Sequence, residues 1–250
     1  MSPMSHPHLF AALACSLSLV ACGGGGSSDV VPATAAVAGV YVGSGGSSRA
    51  SAFAILDDGR YYLVYGRASS SVTPAGGVVI GTGSVSGGMF TSSDAHDFDL
   101  QSQVLRTGTL NSAITAKASA STTVVPTGGS AATYAGTFDP ASDAPATLSA
   151  LAATYGGELA DLGGTLASLL TIDASGVLAG TTSSGACSYA GAVSPHGSGN
   201  VYDVTINFRT GCPNPGNTLH GHGFLIGKLL HIVVASGDLS SVELFAGVKP

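Results

Sequence analysis

The nine residues Val201-Tyr202-Asp203-Val204-Thr205-Ile206-Asn207-Phe208-Arg209 decide the fold. Tyr202, Val204, Ile206 and Phe208 recur at every second position, with Asp203, Thr205, Asn207 and Arg209 between them. Side chains alternate between the two faces of a strand, so this pattern predicts a β-strand with one apolar and one polar face. The loop before it, Ser194-Pro195-His196-Gly197-Ser198-Gly199-Asn200, is dense in turn formers and follows an apolar run over 187–193. The two runs are expected to pair as an antiparallel hairpin.

Further hairpins lie on either side. Ala52-Phe53-Ala54-Ile55-Leu56 runs through Asp57-Asp58-Gly59 into Arg60-Tyr61-Tyr62-Leu63-Val64-Tyr65. Asp-Gly between β-rich runs is a strong turn signal, because glycine adopts the positive φ a tight turn requires. Residues 221–226 turn at Gly227-Lys228 into 229–235, and a last strand is read at 241–246.

The chain also echoes itself. Gly39-Val40-Tyr41-Val42-Gly43, then a strand, an Asp-containing turn and another strand, is matched by Thr154-Tyr155-Gly156-Gly157, the run 166–172, Asp173-Ala174-Ser175-Gly176 and the run 177–180. Ala-Ala-Thr-Tyr-x-Gly occurs at 131–136 and again at 152–157. Between these, Asp143-Ala144-Pro145 resembles a helix start, with Asp as cap and Pro in the first turn. The expected architecture is all-β: two antiparallel barrel- or sandwich-like units, residues 38–140 and 153–250, joined by a short helical linker at 141–152.

Composition narrows the function. The 8 Lys+Arg and 14 Asp+Glu give a net charge of −6, which argues against nucleic acid as a partner. Charged residues make up only 9 % of the chain while 44 % are hydrophobic, so the body is expected to fold behind a neutral surface of glycine and hydroxyls.

Residues 9–21 are apolar and uncharged, about the length of a signal-peptide core and shorter than the roughly 20 residues a spanning helix needs. The preceding residues carry no Lys or Arg, a departure from the usual export signal. Leu19-Val20-Ala21-Cys22 resembles the lipobox of bacterial lipoprotein precursors. That resemblance implies removal of residues 1–21 and acylation of Cys22, palmitate included. Gly23 at the following position implies the outer membrane. Residues 22–37, beginning Cys22-Gly23-Gly24-Gly25-Gly26-Ser27-Ser28, are read as a flexible tether. The membrane is then a partner through the lipid. With Cys15 lost and Cys22 acylated, Cys187 and Cys212 are left to form a disulfide in an oxidising compartment. The alternation of Gly-x-Tyr-x-Gly phrases, strands and Asp-Gly turns is similar to the barrel domains of transferrin-binding protein B and its relatives, which implies binding or display at the cell surface.

Chemistry is sparse. Gly83-Ser84-Val85-Ser86-Gly87 breaks the Gly-x-Ser-x-Gly rule at its central residue. His220-Gly221-His222 places two imidazoles on one strand face, with His231 across the next hairpin as a candidate third metal ligand. Two histidines among glycines, without a placed carboxylate, make a weak site, so no bound metal is expected. Asp94, His96, Asp97 and Asp99 are read as a polar turn and strand face in preference to a cation site, and Tyr61, Tyr62 and Tyr65 as strand packing in preference to a sugar-binding surface. The expectation is a non-catalytic, lipid-anchored envelope protein without cofactor that binds a protein or small molecule. The alternatives are a structural envelope protein and a hydrolase with an unrecognised site.

Overall fold

The structure, a computed structural model, describes residues 33–67 and 75–250. The expected signal peptide, Cys22 and residues 22–32 of the tether lie outside these. Residues 33–37, read as the end of the tether, form a short helix, α1 (Ala33–Val37), with Val37 buried.

Seventeen strands follow among the described residues, each antiparallel to its neighbours. The first nine are β1 (Gly39–Gly45), β2 (Ala50–Ile55), β3 (Arg60–Gly66), β4 (Ala75–Thr82), β5 (Ser84–Ser86), β6 (Met89–Asp99), β7 (Val104–Thr115), β8 (Ser119–Pro126) and β9 (Ala132–Phe138). Their order is β4-β3-β2-β1-β9-β8-β7-β6, and pairing of β4 with β6 closes an eight-stranded barrel. The short β5 continues the β4 edge along the other half of β6. A 3-10 turn (Pro140–Asp143) and helix α2 (Leu148–Leu151) lead to the second barrel. Here Asp143 ends the 3-10 turn and Thr147 caps α2, accepting from Ala150 N. The expected helix start thus shifts by one turn, because Pro145 disfavours helix at the residue before it.

The second barrel comprises β10 (Ala153–Asp161), β11 (Gly164–Ile172), β12 (Val177–Thr182), β13 (Ser188–Pro195), β14 (Val201–Phe208), β15 (Thr218–Ile226), β16 (Leu229–Ala235) and β17 (Val242–Val248). They pair in chain order, and β10 with β17 closes the ring. Tyr202, Val204, Ile206 and Phe208 point into it as their alternation requires. Cys187 and Cys212 are joined, pinning the β14–β15 loop to the start of β13. Closing that loop contributes about 3.5 kcal/mol in the chain-entropy account.

The self-similarity of the sequence is real in three dimensions. Tyr41 in β1 donates to Val37 O at 2.9 Å, and Tyr155 in β10 donates to Leu151 O at 2.6 Å, each reaching back four residues to the end of a helix. Gly59 and Gly176 turn the next hairpins with φ of 90° and 86°. A Cβ at either would strike a backbone carbonyl, Gly83 O between β4 and β5 or Val193 O in the strand Ser188–Pro195. Glycine is therefore required twice, by conformation and by space. The other echo misleads: residues 131–136 belong to the last strand of one barrel and 152–157 to the first of the next.

Three apolar clusters hold the body together. One fills the first barrel around Tyr41, Phe53, Tyr61, Leu63 and Phe90. Another fills the second around Tyr155, Leu170, Tyr202, Phe208 and Phe245. The third lies between the barrels and joins the outer faces of β2–β4 to those of β14–β17 through Ala52, Val64, Val78, Ile80, Phe224, Val233 and Leu244. Strands in this shared wall are buried on both faces, so β3 and β16 read as continuous apolar runs.

Candidate functional site

The shared wall does not close completely. At one end a cavity of about 310 Å³ opens between the barrels, lined by Val42, Ala52 and Val64 on one side and Leu229, His231 and Val248 on the other. Its wall is almost wholly apolar, and its size falls at the lower end of small-molecule sites. Arg67, next to Gly66 of the wall, crosses from the first barrel to the second, donating to Thr165 Oγ1 at 3.0 Å and approaching Glu158 Oε2 at 3.8 Å.

His231 lines this cavity together with the polar residues Ser51 and Tyr65, the latter of which donates its hydroxyl to Asp97. Strand β16 places His231 outside the second barrel, opposite Phe224, whose ring centroid lies 5.2 Å from the imidazole. His231 is 2 % exposed, and neither Nδ1 nor Nε2 has a hydrogen-bond partner among the described residues. Burial depresses its pKa to about 4, so the ring is neutral at physiological pH, with one nitrogen a donor and the other an acceptor. A buried polar atom without a partner costs about 1–3 kcal/mol. A mainly apolar pocket with an unpartnered imidazole on its wall suits a molecule carrying a matching polar group.

The histidine trio suggested by the sequence is not assembled. His220 and His222 share a strand face, yet His220 is exposed and contacts Thr205 Oγ1 at 3.1 Å, whereas His222 lies under the first barrel. His231 lies against Phe224 in a tilted ring contact instead of joining them. The physical reason is the neighbouring barrel, which covers one end of β15 and leaves the other in solvent.

His222 instead belongs to a polar seam along the interface. Tyr62 Oη lies 2.6 Å from His222 Nδ1, and His222 Nε2 lies 3.2 Å from Asp203 Oδ1. The same oxygen is 2.7 Å from His196 Nδ1, while His196 Nε2 is 3.4 Å from Asp57 Oδ1. Ser198 Oγ donates to Asp57 Oδ2 at 2.7 Å. Burial lowers the His222 pKa to about 4, and burial raises that of Tyr62. Tyr62 therefore donates to Nδ1, and a His222 protonated on Nε2 donates to Asp203. Along this chain the serine meets the carboxylate and not the imidazole, so His196 is not placed to take a proton from Ser198.

Sequence reasoning missed His196 and Asp203, since one reads as a loop residue and the other as the polar face of a strand. The signal was available in register: Asp203 pairs directly with His222 across β14 and β15. It also missed Glu243, 1 % exposed inside the second barrel, whose Oε1 accepts from Asn214 at 3.0 Å while Oε2 has no partner among the described residues. Burial raises its pKa to about 8.

The other sequence candidates are dispersed. Asp94 accepts from Thr82 and Ser92, Asp97 accepts from Tyr65 at 2.7 Å, and Asp99 accepts from Ser102 N. Tyr61, Tyr62 and Tyr65 are all buried. Ser84 and Ser86 lie exposed on β5. No protein-family model matches the chain, and no curated protein matches its sequence.

Proposed function

We propose that this chain is a non-catalytic lipoprotein of the bacterial outer membrane that holds a small, mainly apolar molecule in the cleft between its two barrels. The observation that carries the binding role is the unpartnered, fully buried His231 on the wall of an apolar cavity. Anchorage is supported by Leu19-Val20-Ala21-Cys22 after an uncharged apolar run, and export to an oxidising compartment by the Cys187–Cys212 bridge. A structural envelope role is the second reading, favoured by barrel interiors filled with large side chains.

Titration with the fluorescent probe N-phenyl-1-naphthylamine separates these readings. The parent is expected to bind one probe per chain. Decanol is expected to displace it better than decane, and that discrimination to vanish in His231→Leu. A folded parent with no saturable probe binding returns the structural role to the front. For the anchor, metabolic labelling with an alkyne fatty acid is expected to mark the parent and not Cys22→Ser; equal labelling removes the lipoprotein assignment.

A further inference from the structure

The polar seam contains what the two-histidine reading lacked, a carboxylate and a second imidazole around His222. One donor atom from each of His196, Asp203 and His222 lies within 4.8 Å of the others. The ring planes of His196 and His222 are nearly perpendicular, at 89°, with centroids 5.2 Å apart. Asp203 Oδ1 sits between them, 2.7 Å from one nitrogen and 3.2 Å from the other. Donors around a tetrahedral ion, each about 2.0 Å from it, stand about 3.3 Å apart, so small side-chain shifts admit an ion.

The nitrogens turned away from this centre distinguish it from an ordinary charged cluster. A metal-bound histidine normally gives its other N–H to a carboxylate or another oxygen, which fixes the tautomer and orients the ring. Both outer partners are already in place and both come from the first barrel. Tyr62 Oη stands at His222 Nδ1, where it would accept once the ring proton moves from Nε2 to Nδ1 and frees Nε2 for the ion, and Asp57 Oδ1 stands at His196 Nε2. Asp57 is itself held by Ser198. Asp57, Asp58 and Asp203 lie around the site, and the Arg60 guanidinium near it is tied to Asp58. His222 is buried while the Asp203 side chain is half-exposed, leaving one side open to solvent.

The geometry points to a divalent-metal site of the zinc class formed by His196 Nδ1, His222 Nε2 and Asp203, with water completing the coordination and Tyr62 and Asp57 of the other barrel orienting the two imidazoles. Nitrogen–oxygen donors in this number suit zinc or cobalt(II) better than calcium or magnesium, which favour oxygen alone. Because ligands and orienting partners belong to different barrels, the ion strengthens the contact between them. The site is independent of the cleft at His231 and does not require a ligand there.

The test uses the full-length chain without an affinity tag, stripped with chelator and titrated with cobalt(II) and with zinc. One cobalt(II) per chain is expected, with visible absorption of a low-coordinate nitrogen–oxygen site that zinc abolishes. Asp203→Asn and His222→Gln are expected to lose that absorption. Tyr62→Phe is expected to weaken zinc binding about ten- to a hundredfold by removing an outer hydrogen bond. His220→Ala is expected to bind as the parent does. A folded parent that takes up no cobalt(II) overturns the site, whatever the variants do, as does undiminished binding in folded Asp203→Asn/His222→Gln.

Discussion

In the first barrel β2 to β4 are buried on both faces. Their counterparts in the second, β11 to β13, are buried mainly on one face, and Leu166, Leu169 and Val177 stand in solvent. The opening devices are the same in both: a short helix, a tyrosine reaching back to its last turn, then a hairpin turned by glycine. What differs is the outer face. Outward positions of β2–β4 carry Ala52, Ala54, Val64, Val78 and Ile80, whereas those of β11 and β12 carry Ala167, Leu169, Thr171, Ala179 and Thr181. In the closing halves the pattern reverses, with Thr109, Asn111 and Ser121 exposed on the first barrel and His222, Phe224, Val233 and Leu244 buried on the second. The early strands of one copy thus meet the late strands of the other. Copies related by a two-fold axis would have brought equivalent strands together. The two barrels share their opening devices, and the difference between their outer faces sets how they join.

The largest effect is expected where this contrast is sharpest. Val233→Asp puts an unpaired charge into the shared wall and is expected to cost about 3–5 kcal/mol. Leu169→Asp, on the free wall, is expected to stay within about 0.5 kcal/mol. Urea denaturation measures both, and comparable losses would show that the two walls are not differently buried in solution.

Inside the barrels the contrast lies between two acids. Asp97 of the first accepts from Tyr65, while one oxygen of Glu243 in the second is unpartnered. Burial lifts the folded pKa of Glu243 to about 8 from 4.5, so between these values the fold retains a proton that the unfolded chain has lost. Its contribution is therefore full below about pH 4.5 and is lost as pH rises through about 8, with a slope of at most about 1.4 kcal/mol per pH unit. Glu243→Gln is expected to remove this slope, so its stability relative to the parent grows from pH 5 to pH 8. A constant difference would mean that Glu243 is not neutral in the fold.

The smallest effect concerns the shared devices. Tyr41→Phe and Tyr155→Phe each remove one hydrogen bond to a helix end, for an expected loss of about 1 kcal/mol apiece. Matching losses in denaturation midpoints support the equivalence of the two openings; a loss in one alone breaks it.

The hairpins over 52–65, 187–209 and 221–235 were legible from local pattern, whereas β4 to β8 were not read as strands. Side-chain alternation in 201–208 and Asp-Gly between apolar runs act over a few residues, and the energies that fix them are local. The linker, the repeat of the opening hairpin and the Cys187–Cys212 pair were legible for the same reason, or by elimination. Only the tertiary structure decided which apolar strands line a barrel and which join two, because a strand buried on both faces has the same composition in either place. The same limit hid the sites. His222 was visible as a residue, but whether it met His220, His231 or Asp203 depended on strand register and on the barrel laid over it. His231 gave no sign in sequence of facing a cavity, since cavities form where two separately folded surfaces fail to match.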